Sequence, residues 1–144
     1  MKKFWPLLVL LSACSRVPAV QNLPYQEYKA MFDELEASKW HWADRLCADS
    51  YQTVRFDLAS ETMTLITHNS ILGQDQRKET VYLYRILDVG NNRISTKIVG
   101  EDRLDKNGNP VKWDLILKPN ESFYWRRNDW DATGGTKSML KCPE

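Results

Sequence analysis

The chain has 144 residues, with 20 Lys+Arg against 19 Asp+Glu and 42% hydrophobic residues. That is the length of one domain able to bury its own core, and a 27% charged fraction excludes a disordered acidic or basic tail protein. A formal charge of +1 leaves no cationic surplus to neutralise phosphates, which excludes nucleic acid as the main partner.

Met1-Lys2-Lys3 precedes a short apolar run from Phe4 to Leu11. The run falls far below the roughly 20 residues of a membrane-spanning helix and has the layout of a secretory signal peptide. Leu11-Ser12-Ala13-Cys14 resembles the lipobox of bacterial prolipoproteins, where Leu and two small residues precede the Cys that receives lipid. The resemblance covers residues 1–15. It implies that residues 1–13 are removed and that Cys14 becomes the first residue, carrying diacylglycerol and a palmitate-type chain. Several acyl chains on one residue anchor stably where one would not. The other reading is an ordinary signal peptide that leaves Cys14 a free thiol. Ser15, rather than Asp, after that Cys implies by the same resemblance an outer-membrane lipoprotein of a diderm bacterium. It would face the periplasm, with surface display left open.

Lipidation of Cys14 would leave Cys47 and Cys142 of the three cysteines. In an oxidising envelope these are expected to form a disulfide; two separate buried thiols are the alternative. Residues 15–24 hold two prolines and no helical period, which reads as the remainder of a lipidated tether, 14–24. Residues 25–39 are predicted helical. Tyr25, Tyr28, Phe32 and Leu35 share one face, and Pro24 suits a first turn.

From Trp40 the period changes to two. Trp40 and Trp42 flank His41, Val54, Phe56 and Leu58 alternate within 51–58, and Met63, Leu65 and Thr67 alternate next. Residues 80–89 are apolar on both faces, as for a central strand. Ile94, Thr96 and Ile98 begin a strand predicted to run to Leu104. Asp105-Lys106-Asn107-Gly108-Asn109 is the strongest hairpin signal, and Val111, Trp113, Leu115 and Leu117 return from it. Residues 122–126 and a short segment ending at Cys142 complete about seven or eight strands. The expected fold is mainly β: an antiparallel meander closing into a small barrel or strongly curved sheet, with the helix packed on it. The single domain spans 25–144 and its β body 40–144. Trp40, near the start of the first strand, resembles the lipocalin-like barrels, where a Trp closes one end. Ser38 and Lys39 replace the Gly of that pattern, so the resemblance bears on shape alone.

If Asn107-Gly108 is the turn, Leu104 faces Val111 on the core side, Asp102 faces Trp113 and Glu101 faces Asp114. Glu101 and Asp114 would then suit an acid/base pair, but Arg103 and Lys112 lie diagonal to them and favour a cross-strand ion network. Arg126-Arg127-Asn128-Asp129-Trp130 is the densest polar and aromatic cluster. It reads either as a rim for an anionic or planar group, or as core Trp125 and Trp130 with the arginines paired to Asp129 or Asp114.

His41 and His68, the only histidines, have no HxH or HExxH spacing, so no metal or other cofactor is expected. No GxSxG elbow or phosphate loop occurs, and no enzyme is expected. The expected function is a non-catalytic envelope binding module for a small apolar or amphipathic ligand. Trp40, Trp42, Tyr82, Tyr84, Trp113 and Trp125 are its candidate lining. The alternative is a protein-binding envelope factor, such as an inhibitor, an immunity protein or an accessory subunit, using residues 125–130 with Arg126, Arg127 and Trp130.

Overall fold

A computed structural model describes residues 23–144. The expected signal peptide, the expected lipobox at Cys14 and most of the expected tether lie outside the described residues. The helix α1 (Lys29–Ala37) precedes eight strands: β1 (Trp40–Trp42), β2 (Ser50–Asp57), β3 (Thr62–Ser70), β4 (Arg77–Gly90), β5 (Arg93–Ile98), β6 (Trp113–Lys118), β7 (Ser122–Arg127) and β8 (Met139–Lys141). Each strand pairs with the next, and β8 returns to β1 through Trp40↔Lys141 and Trp42↔Met139, which closes the barrel. Closure follows from the alternation. Most inward positions carry apolar side chains, so Val54, Met63, Leu65, Ile94, Leu115, Phe123 and Trp125 are all buried.

The helix is shorter than the predicted 25–39. Tyr28 leaves the helical region at φ −110° and ψ 18°, and Ser38 is already extended. No side chain caps its start, and nine residues are too few for a helix to persist alone in water. Packing holds it. Phe32 and Leu35 are buried, and the Phe32 ring meets Phe56 edge-on with centroids 4.7 Å apart. The Glu36 carboxylate accepts the Phe56 N–H at 2.6 Å, and Lys141 pairs with Glu34 at 3.0 Å and Glu121 at 3.2 Å. The helix thereby plugs one end of the barrel. The strand turns at this end are tight, and each has a residue at positive φ: Glu61 (55°), Asn92 (57°) and Glu121 (59°).

The other end carries the longer connections, residues 43–49, 71–76, 99–112 and 128–138. The expected disulfide is present: Cys47 bonds Cys142, with Cα atoms 5.8 Å apart, and ties the 43–49 connection to the chain just past β8.

The expectations around the Asn-Gly turn are corrected. β5 stops at Ile98 instead of reaching Leu104, and Trp113 lies opposite Thr96, not Asp102. Asp114 lies opposite Ser95, whose hydroxyl donates to it, so Glu101 and Asp114 are not a facing pair. The Asn-Gly turn does form: the Asp105 carboxylate accepts N–H bonds from Asn107 and Asn109, and Gly108 has φ 79°. It sits at the tip of the 99–112 connection, however, where it does not set the register of β5 and β6. Leu104 bridges to Pro110 across it and is 57% exposed, off the core face.

The double-sided apolar stretch is also not a strand covered on both faces. The register of β4 against β5 shifts between Ile86 and Asp88. Residues 77–83 ladder with β3 alone, and only the later part ladders with β5. Val81, Leu83 and Leu87 face outward and are exposed.

Candidate functional site

Opposite the plug, the barrel interior is unfilled. A cavity of about 410 Å³ is lined by Trp42, Gln52, Leu65, Thr67, Tyr82, Tyr84, Ile98, Trp113, Trp125 and Thr136. These residues come from β1 through β7 and the β7–β8 connection, and on each strand they continue the inward row. Towards the plug the same rows hold fully buried Trp40, Met63, Leu115 and Phe123. No lining residue carries a formal charge.

The Tyr84 and Trp125 rings stack across the interior, centroids 5.2 Å apart and 14° from parallel. Burial pushes the Tyr84 phenol up to about 12, with Tyr82 and Glu101 adding to the rise. The hydroxyl therefore stays neutral in ordinary conditions. Gln52 is 8% exposed. Its Nε2 donates to the Thr67 hydroxyl at 3.3 Å, and its Oε1 is buried with no hydrogen-bond partner among the described residues.

The rim is charged but internally matched. The Trp113 indole N–H donates to Glu101 Oε2 at 2.9 Å, and Arg103 Nε lies 3.6 Å from Glu101 Oε1. Arg127 forks onto Asp129 with bonds of 2.8 and 2.5 Å. This contact raises the Arg127 pKa and lowers that of Asp129. The Arg127 guanidinium also lies 5.6 Å from the Trp113 ring and 5.5 Å from that of Trp130.

Five of the six aromatic candidates, Trp42, Tyr82, Tyr84, Trp113 and Trp125, line the cavity. Trp40 does not: it is 0% exposed and packs edge-on against Phe123 at 5.0 Å. Its neighbours fill the space that it would otherwise line. The 125–130 cluster divides. Trp125 is buried and lines the cavity, and Arg127 and Trp130 meet Trp113 at the rim. Arg126 points the other way and donates to the Ala132 and Asp131 carbonyls at 2.7 and 3.1 Å, bracing the 128–138 connection. Sequence reasoning missed Gln52, Leu65, Thr67, Ile98 and Thr136 as lining. Gln52 carried a usable signal: it is a polar residue in the inward register of Val54 and Phe56.

The histidines lie elsewhere. On the outer wall His68 stacks on Tyr51 at 4.6 Å, with Nε2 3.0 Å from the Thr53 hydroxyl and Nδ1 3.2 Å from Glu79. His41 Nδ1 lies 2.7 Å from the Arg45 carbonyl oxygen. Among the described residues no group of three or more His, Cys, Asp or Glu side chains converges as a metal site would require.

Compared with known proteins, the chain matches no protein-family model, no curated sequence and no solved structure.

Proposed function

We propose that the protein is a non-catalytic binding module that takes a small apolar or amphipathic ligand into the open end of its barrel. The observation that supports this is the cavity of about 410 Å³, walled by aromatic side chains and free of charged lining. Small-molecule sites are concave, mostly apolar and carry a few placed polar groups. An eight-stranded barrel is otherwise just wide enough for its own side chains to fill. The module reads further as an outer-membrane lipoprotein anchored through Cys14, on the strength of Leu11-Ser12-Ala13-Cys14.

Titration with the neutral dye N-phenyl-1-naphthylamine tests the cavity. Saturable one-to-one binding that disappears in Leu65→Trp is expected; binding unchanged by that obstruction would remove the reading. For the anchor, palmitate labelling should be lost in Cys14→Ser.

The alternative, a protein-binding envelope factor, draws support from the free edge of β4 rather than from residues 126–130. The Leu83 carbonyl accepts the Val99 N–H at 2.8 Å and so faces the β5 side. By two-residue alternation the main-chain groups of Val81 and Glu79 face the same side, where no strand ladders with them. With Val81 59% and Leu83 42% exposed beside it, this edge fits an extended segment of a partner. Under this reading, Val81→Lys with Leu83→Lys releases the partner and leaves dye binding unchanged.

A further inference from the structure

We propose that Gln52 is the polar recognition group of the cavity, and that the ligand is an uncharged, flat molecule carrying an N–H or O–H donor. This rests on the cavity reading above and deepens it. The carboxamide of Gln52 has one half satisfied: Nε2 donates to Thr67. The other half, Oε1, is shut away from solvent without a partner among the described residues. A buried acceptor left unpaired is unfavourable, and a donor that reaches it recovers the deficit.

No described residue supplies that donor. Trp40 is the register neighbour of Gln52 on β1, and its indole N–H is committed to the Leu35 carbonyl at 3.0 Å. The Trp113 indole, also in the lining, is committed to Glu101. The terminal torsion of a glutamine is soft, so rotation of the carboxamide would turn Oε1 towards a donor entering the cavity.

Charge and shape narrow the ligand further. The lining has no charged residue, and the nearby rim charges already answer one another as Arg127–Asp129 and Arg103–Glu101. A charged ligand would lose its hydration and gain no counter-ion. The walls are planar groups, with Tyr84 and Trp125 already stacked near parallel. Such surfaces favour an offset-stacked or edge-on ring.

A matched probe set tests this: 2-naphthol carries a hydroxyl where 2-methylnaphthalene carries a methyl of similar size, and 2-naphthoate carries a negative charge. Affinities are measured by calorimetry and by saturation-transfer NMR. For the native protein, 2-naphthol should bind about tenfold tighter than 2-methylnaphthalene, and 2-naphthoate should bind weakest. In Gln52→Leu the preference for the hydroxyl should vanish through loss of 2-naphthol affinity. Gln52→Met provides a second apolar variant, and circular dichroism reports whether each has folded. If neither neutral probe binds the native protein, both the cavity reading and this proposal fall. If both bind, and equally to the native protein and the variants, the role of Gln52 falls while the cavity reading stands. Tightest binding of 2-naphthoate would overturn the uncharged ligand.

Discussion

The indole N–H of Trp40 donates to the main-chain oxygen of Leu35 at 3.0 Å. Both residues are 0% exposed, so this bond joins the last turn of α1 to the first strand in the absence of water. It satisfies one of the carbonyls that every helix leaves open at its C-terminal end. Trp40→Phe should lower stability by about 2–4 kcal/mol, from the orphaned carbonyl together with the space left by the smaller ring. The urea midpoint measures this, and an unchanged midpoint would show that the Trp40–Leu35 bond does not hold the helix.

Tyr25 offers the opposite case. Its ring packs against Phe32 at 5.7 Å, but its hydroxyl is buried with no partner among the described residues. Tyr25→Phe keeps the ring and removes the unpaired group. A gain of about 1 kcal/mol is expected in the same unfolding measurement.

Reduction of Cys47–Cys142 frees a long stretch of chain, with the two cysteines 95 residues apart in sequence. Chain-entropy reasoning puts the loss at about 4–5 kcal/mol, an upper figure. The Cys47→Ala, Cys142→Ala protein should unfold at markedly lower urea, and reductant should then have no further effect on it.

Alkaline pH should act through the tyrosines. Burial raises both Tyr84 and Tyr25 from 10.0 to about 12. A raised folded-state value means that the stabilisation is complete below pH 10, where both states keep the proton. It is lost as pH climbs towards 12, because the unfolded chain ionises first. At Tyr84 this amounts to roughly 2–3 kcal/mol across that interval. Plotted against pH, the fall in stability should be shallower in Tyr84→Phe than in the native protein, and shallower again in the double Phe variant.

At the rim, Glu101→Ala removes the acceptor of the Trp113 indole and the partner of Arg103. The expected effect is about 1 kcal/mol or less in stability, since Arg103 is half-exposed, with a change in tryptophan emission as Trp113 loosens. Unaltered emission would place Glu101 outside the rim's support.

Alternation was the legible part of this fold. Val54 and Phe56, Met63 and Leu65, and Ile94 and Thr96 read as inward rows because backbone pleating alone sends every second side chain to one face. Depth within the barrel was not legible. Trp40 and Trp42 share a face and a residue type, yet one is core and the other cavity wall. That difference depends on where α1 stops filling the interior. The β5–β6 register failed for a related reason. Asp105 and Gly108 make a genuine turn, but a local signal does not say how much chain lies between the turn and the ladder, and Glu101 was consequently assigned a partner it does not face. Gln52 was readable as an exception to the apolar row, and only the closed barrel shows that half its carboxamide is unanswered.

The helix that closes the barrel also gives the domain a heading. Leu23 and Tyr25 pack with Phe32 at the plug, so the chain enters at one pole while the aromatic opening lies at the other. The entrance therefore looks away from the point where the described chain begins. A molecule that reached the cavity would come from that side, and changes at Leu23 or Tyr25 would act on the plug without touching the lining.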